Sequence, residues 1–534
     1  MPRIFPRDGL AFAGGFRHAT GLLSGTPLAQ RIAMSTSTSA LTVRLIAAMA
    51  VCLTAAVHAS PARAQASNQP AGWDASLRLR EAADLNPAPD VVEINLEAVV
   101  AKVDLGNGQS VEAWTYNGGL PGPLIRTKVG DRLIVHFTNR LPAPTTVHWH
   151  GLRVPIEMDG VPGISQPPVL KGESFTYSFI VPDAGLFWYH PHVASNEQVG
   201  FGLYGPLLVE DPQEKSRLGF SDELIIVLSD IGVDEQGKLD DPNSGGTTGM
   251  AFGREGNVVL INGKVGTLGK LTVRSGAPQR WRIVNTAKSR YFAIDLDGQT
   301  FTKIGSDGGL TDAPATDTNI VIGCGERVDL IVSPQGKPGT EMPFRSYVFN
   351  RGYGSVEFRP AEEILFTVAF ADVPAYAGPA PTPISRPIVP LSAEGATKTT
   401  MNFTITQLPN GTFEYGINNK PHWATKPFTA KIGETQMWTL VNKTPWSHPF
   451  HLHGYFFQVV DEQGVPIRPI GWKDTVNVQF EQTVRVLVRF DDRPGEWMIH
   501  CHILDHAEGG LMSTVRVGLP DGPSAPSHQH PPAK

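Results

Sequence analysis

Ten histidines and one cysteine fall into four short clusters. His148-Trp149-His150-Gly151 and His190-Pro191-His192 lie in the first half of the chain. His448-Pro449-Phe450-His451-Leu452-His453-Gly454 and His500-Cys501-His502-Ile503-Leu504-Asp505-His506 lie near its end. The chain has sixteen histidines, so most of its imidazole sits in these places. Imidazole is the commonest metal-binding side chain, and a thiolate between histidines selects a soft transition metal. Eleven candidate ligands exceed what one or two metals take at about four each. The clusters therefore describe a multinuclear centre assembled from segments distant in sequence.

Side chains on a strand alternate between its faces. Each His-x-His pair thus presents two imidazoles on one face, and in His500-Cys501-His502 the cysteine points the other way. One strand can then bridge two metal sites. The four pairs supply eight histidines, which suit a three-metal cluster with open positions for a small molecule. His448, Cys501 and His506 remain, and a His₂Cys set with a weak axial ligand is an electron-transfer copper site. Structural zinc sites close on four ligands, and nothing here isolates such a set.

The elements that must position these residues announce themselves in a repeat. Gly130-Asp131-Arg132-Leu133-Ile134-Val135-His136-Phe137-Thr138-Asn139 is matched by the stretch Gly276 to Asn285 and again by Gly433 to Asn442. Each is a turn glycine, a strand-like run and an asparagine nine residues after the glycine. The glycines are 146 and 157 residues apart, which predicts three related domains. Alternation dominates the pattern, as in Phe175-Thr176-Tyr177-Ser178-Phe179 and Val484 to Phe490, and long 3.6-period stretches are scarce. The reading is an all-β chain of Greek-key sandwiches over residues 67–213, 214–380 and 381–519. Tyr376 to Pro390 reads as a linker, and residues 520–534, with His528 and His530, as a disordered polar tail. In the middle copy Asp295 and Asp297 stand where the third copy has His451 and His453. That copy also lacks a His-Cys-His, so it is expected to carry no copper.

At 534 residues and net charge −6, the chain gives no electrostatic case for nucleic acid or an anionic membrane. Residues 1–66 read as an upstream extension and a secretion signal, with Met34 a possible true start. The apolar run from Leu45 to Val57 is too short to span a bilayer, so no membrane span is expected in the mature protein. A periplasmic or secreted location follows. Of three cysteines, Cys52 lies in the signal, and Cys324 reads as a small buried hydrophobe. Trp149, Trp188, Tyr189, His136 and His422 read as packing, strand and loop residues, and Asp307 as a turn residue.

The four clusters resemble the copper-binding motifs of the multicopper oxidases, the laccase family. The similarity runs from about residue 75 to 518. It implies three cupredoxin-like domains and four copper ions: one type 1, one type 2 and two type 3. By resemblance His448, Cys501 and His506 would hold type 1, and His148 and His451 type 2. His150, His190 and His502 would hold one type 3 copper, and His192, His453 and His500 the other. Electrons would pass from type 1 through Cys501, His500 and His502 to dioxygen. Two departures from the family stand out. Leu511 takes the axial position as a non-ligating residue, with Met512 beside it. Ala507 occupies the place of an acid in some bacterial members, leaving Asp159 and, nearby, Glu508 for proton delivery.

Three functions are compatible with these motifs. The first is a laccase-type oxidase of phenols or aromatic amines, which a high-potential type 1 site with leucine suits. The second is a metal-ion oxidase acting on Cu(I) or Fe(II). The ten methionines are scattered, with no methionine-rich insertion to favour it. The third is a non-catalytic copper-binding scaffold, which lost ligands would mark, and none is missing.

Overall fold

The fold is described here from a computed structural model covering residues 69–352 and 359–520. The secretion signal, Met34 and the histidines of the tail lie outside those residues. Strand outweighs helix, 46% to 8%, so the all-β expectation holds. Among the described residues the strands form six sheets.

Two four-stranded sheets draw their strands from residues 91–210, a seven- and a five-stranded sheet from 223–370, and two five-stranded sheets from 397–517. The repeat seen in sequence has one structural job in all three places. Arg132–Asn139 pairs parallel with Val91–Asp104, Gln279–Asn285 with Glu223–Ile231, and Glu434–Asn442 with Thr397–Gln407. The glycine that opens each copy has positive φ: +88° at Gly130, +77° at Gly276 and +81° at Gly433. Only glycine adopts that turn at no steric cost.

The asparagine that ends each copy is fully buried and ties the loop after it to a carbonyl further along the chain. Asn139 Nδ2 donates to Ala143 O and Val169 O, and Asn285 Nδ2 to Arg290 O and Ile322 O. Asn442 Nδ2 donates to Trp446 O, Val478 O and Gln479 O. In each copy Oδ1 accepts from the N–H two residues on: Leu141, Ala287 and Thr444. The loop so fixed leads directly into the next strand, which carries His148 and His150 in the first copy and His448 and His451 in the third. Asn442→Ala would leave buried carbonyls unpaired, at about 1–3 kcal/mol each. The expected result is a clearly lowered thermal transition together with weakened metal binding, measured by calorimetry and metal analysis. An unchanged transition would refute this role.

Three departures from the pattern have physical causes. Trp73 and Leu77 pack into the core of the middle sheets, and Trp73 bridges to Leu271, because these apolar side chains find the open edge of that sandwich. Arg280 and Arg282 alternate along their strand as an exposed face would, yet both are buried. The helix Pro212–Leu218 covers them, and Glu214, Glu223 and Asp329 supply the counter-charges. Leu487 is also buried, beneath Leu391, Ala393 and Ala396 of the segment that follows the middle sheets.

Candidate metal centre

The site begins with cross-strand pairing. His148 lies opposite His190 on the antiparallel pair His148–His150 and Gly185–His190. His451 lies opposite His500 on His448–Leu452 and Gly495–Cys501. Directly opposed residues place their side chains about 5 Å apart. The two sheets then face each other so that rings stack across the gap. His148 lies on His453 at 3.9 Å between centroids, and His150 on His451 at 3.8 Å. His500 Nε2 and His453 Nε2 stand 3.1 Å apart. His192 approaches His453 and His500 at 5.0 and 5.3 Å between ring centres, and His502 approaches His150 and His190 at 4.8 and 5.4 Å. All eight are buried.

The chain fixes which nitrogen of most rings faces inward. Nδ1–H donates outward from His148 to Asp159 O, from His190 to Pro191 O, from His451 to Asp474 O and from His500 to Cys501 O. His453 Nδ1–H donates to Asp159 Oδ2 at 2.9 Å. His150 is reversed, with Nε2–H donating to Asp474 Oδ1 at 3.1 Å. What is left over points into the cluster. Nε2 of His148, His190, His192 and His451, Nδ1 of His150, and both ring nitrogens of His502 are buried with no hydrogen-bond partner. Leaving seven such nitrogens unpaired would be costly. A set of inward lone pairs on outward-anchored rings is what a bound transition metal resolves. Burial first, then neighbouring imidazoles, hold His190, His192, His500 and His502 well below the ordinary histidine pKa, and His453 is pushed down to about 3. These rings are neutral, the form that binds metal.

Ligand atoms within 4.8 Å of one another include the sets His192/His453/His500 and His148/His451/His453. A third set joins His150 and His190 to His148, not to His502.

Cys501 points to the other side of its strand, as the period requires. Its Sγ lies 3.3 Å from His448 Nδ1 and 3.9 Å from His506 Nδ1, and those two nitrogens are 3.1 Å apart. His448 Nε2–H donates to Thr444 Oγ1 at 2.6 Å, and His506 Nε2–H to Ala251 O at 3.2 Å. Both Nδ1 atoms are thereby turned toward the sulfur. Burial pushes the Cys501 thiol well above its ordinary pKa, against the smaller pull of the Ile503 N–H and Arg351. A thiol so disfavoured as a free anion becomes a thiolate on binding a metal. Leu511 shares the buried cluster around Cys501, whereas Met512 packs with Val161, Met498 and Ala507. The Leu511 carbonyl accepts the Cys501 N–H at 3.0 Å.

Asp159 sits between the two halves of the eight-histidine set. Burial alone would raise its carboxyl pKa, but His453 and His148 outweigh that and hold it well below the usual carboxylate range. The turn that places it needs Gly160, whose φ is +77° and whose missing Cβ would lie 1.9 Å from Val147 O. The Glu508 carboxylate accepts from the Ser195 N–H and Oγ–H, joining the helices Leu504–Glu508 and Ser195–Gly200. Trp188 stacks on His190 at 4.3 Å between ring centroids, a packing contact at the cluster wall.

Asp307 lies in the expected turn, with Gly308. It is buried, with Lys473 Nζ at 3.0 Å and the Arg327 N–H at 2.9 Å. The sequence reading also missed Asp474, Arg327, Thr444 and Ala251. No spacing marks them, because each meets the site only through tertiary contact. The helix Gly246–Phe252 lies over His506, and Tyr415, stacked on His506 at 4.5 Å, donates its hydroxyl to the same Ala251 carbonyl at 2.8 Å. Asp505 holds that helix down through the Arg254 N–H and guanidinium.

With this geometry in view, the comparisons agree with it. The multicopper oxidase family matches residues 98–214, 222–349 and 392–521. A multicopper oxidase of Mycobacterium tuberculosis is 33% identical over 484 residues, covering 83% of this chain and 90% of that protein. A laccase of Bacillus stratosphericus is 27% identical, covering 81% and 96%. The solved structure of a Campylobacter jejuni multicopper oxidase, titled a metallo-oxidase, has a TM-score of 0.71 at 27% identity and covers 82% and 94%. Fold, paired ligand sets and these matches lead to one conclusion: the chain belongs to the multicopper oxidase family, oxidoreductases that use copper and take dioxygen as acceptor.

Proposed function

We propose that the chain is a laccase-type oxidase that couples four one-electron oxidations of phenols or aromatic amines to reduction of dioxygen to water. Its copper would number four. His448, Cys501 and His506 would hold type 1, with Leu511 axial and non-ligating, and His148 and His451 type 2. His150, His190 and His502 would hold one type 3 ion, and His192, His453 and His500 the other. The domains would be residues 67–213, 214–380 and 381–519, with the middle one free of copper. When bound, copper supplies one-electron acceptance at the first set and dioxygen reduction at the second.

The observation that carries this reading is the strand Gly495–Cys501 with His502 after it. Cys501 faces His448 and His506, while its own carbonyl accepts from His500 Nδ1–H at 2.9 Å. One residue thus belongs to both sets, and the path between them is covalent. Asp159 keeps His148 and His453 as Nδ1–H tautomers and offers a carboxylate beside the cluster for proton delivery. Oxygen uptake by copper-loaded protein with a simple methoxyphenol tests the reading. Rapid uptake is expected, and none from blue, fully loaded protein would contradict it.

A metal-ion oxidase is the second reading, and one observation favours it. His448 and His506 are both completely buried, and Ala251 covers the outer nitrogen of His506. A donor the size of a phenol needs the helix Gly246–Phe252 to move, while a metal ion needs only an electron path. Replacing Met250 and Phe252 by glycine, which keeps the Ala251 carbonyl on His506 Nε2–H, is expected to raise kcat/KM several-fold for bulky phenols and to leave Fe(II) oxidation unchanged. Equal effects on both donors would refute gating by this helix.

Export to the periplasm or medium is also proposed, from the signal at the N-terminus. Amino-terminal sequencing of exported protein is expected to begin after Ala64 or Ala66. Among the described residues no helix is long and apolar enough to cross a membrane.

A further inference from the structure

The middle sandwich contributes no motif histidine, yet its turn Gly323 to Arg327 is pressed against the eight-histidine set. Gly325 has φ +83°, and a Cβ there would lie 2.9 Å from His150 Cε1 and 3.1 Å from His502 Cδ2. No side chain fits between this turn and the two rings. Two residues on, Arg327 is buried at 2% exposure and places all of its donors. Nε–H donates to Leu186 O at 3.0 Å, from the first pair of sheets. Nη1–H donates to Gly325 O and to Asp474 Oδ1, both at 2.8 Å. Nη2–H donates to Asp307 O at 2.9 Å and makes a short contact with Asp474 Oδ2. Asp474 in turn accepts from His150 Nε2–H, at the same Oδ1, and from Thr475 Oγ1–H at 2.8 Å.

We propose that Arg327 is a positioning residue of the eight-histidine centre: it grips the Asp474 carboxylate as a fork so that Oδ1 meets His150 Nε2–H and leaves His150 Nδ1 as the inward donor. Bidentate pairing fixes the plane of the carboxylate as well as its position. Only the guanidinium can do this while also reaching Leu186, Gly325 and Asp307, and an ammonium cannot. A residue serving only to tie sandwiches together need not end on a candidate ligand, whereas this one ends on His150, whose outward hydrogen bond is made by Nε2 rather than Nδ1. The middle sandwich is thereby part of the metal site's outer support, which explains its retention without ligands of its own. The inference rests on the copper assignment proposed above.

The test compares wild type, Arg327→Lys and Asp474→Asn, each loaded with Cu(I) and oxidised. Copper per chain is measured against competing chelator, together with the visible band of type 1 and the electron paramagnetic resonance signal of type 2. Outer partners of metal ligands are worth about 10–100-fold in affinity. Both variants should keep the type 1 band and lose about 10–100-fold in affinity for the remaining copper, with altered type 2 hyperfine splitting. Wild-type affinity and signals in either variant would overturn the proposal. So would parallel loss of the type 1 band, which would mean a general structural role. Wild-type protein that binds no copper beyond type 1 would instead bring down the underlying copper assignment.

Discussion

Cys501→Ser is expected to abolish the intense visible absorption of the copper-loaded protein and its oxidase turnover with every donor, while the eight-histidine set keeps its copper. The intense band of such sites comes from the bond between sulfur and metal, and a hydroxyl cannot supply it. Serine is nearly isosteric, so His448 and His506 keep their anchors on Thr444 and Ala251, and the fold is not disturbed. The eight histidines gather on the opposite face of the strand and draw their orientation from Asp159, Asp474 and main-chain carbonyls. None of those contacts involves the sulfur. Turnover stops because electrons no longer enter through the residue shared by the two sets. Absorption spectra and copper analysis check this together. Retained visible intensity, or loss of all copper, would refute the division of ligands between the two sets.

Asp159→Asn is expected to lower kcat by about 10²–10⁴, the usual worth of a positioned proton-transfer group. Copper content and the type 1 band should stay as in wild type. Asparagine preserves the shape of the side chain and can still accept from His453 Nδ1–H. It cannot take up and release a proton as the carboxylate does. The carboxylate is well placed for that duty: Oδ2 takes the His453 N–H, while Oδ1, 3.3 Å from His148 Nδ1, is buried with no hydrogen-bond partner. The step lost is in dioxygen reduction, so anaerobic reduction of type 1 by donor should run at the wild-type rate. Stopped-flow measurements with and without oxygen separate the two. Unchanged kcat at full copper content would assign proton delivery to another group.

The candidate ligands were legible in the sequence because each carries its chemistry in its residue type; the strand period covers His148 with His150, whereas His192, His453 and His502 each follow the end of their strand. His500, Cys501 and His502 needed no tertiary information to be split between two sites. The glycine-to-asparagine repeat was equally legible, because a positive-φ turn and a buried cap recur in each sandwich. Other residues acquire their role only where sandwiches meet. Asp307 reads locally as a turn residue before glycine and is one, but its burial against Lys473 and Arg327 comes only from tertiary packing. Asp474 and Arg327 are 147 residues apart, and no local pattern joins them. Arg280 and Arg282 followed the alternation of an exposed face until a helix from outside the sheet covered them. Glu508 was near the motif in sequence but turned to Ser195, because the short helix that carries it faces the helix Ser195–Gly200. The cover over His506 came from Ala251, some 255 residues away.

The central claim is that the eleven ligands form two sets holding four coppers. Metal analysis of fully loaded, chelator-washed protein tests it most directly. Four coppers per chain are predicted, and two or fewer would contradict the account.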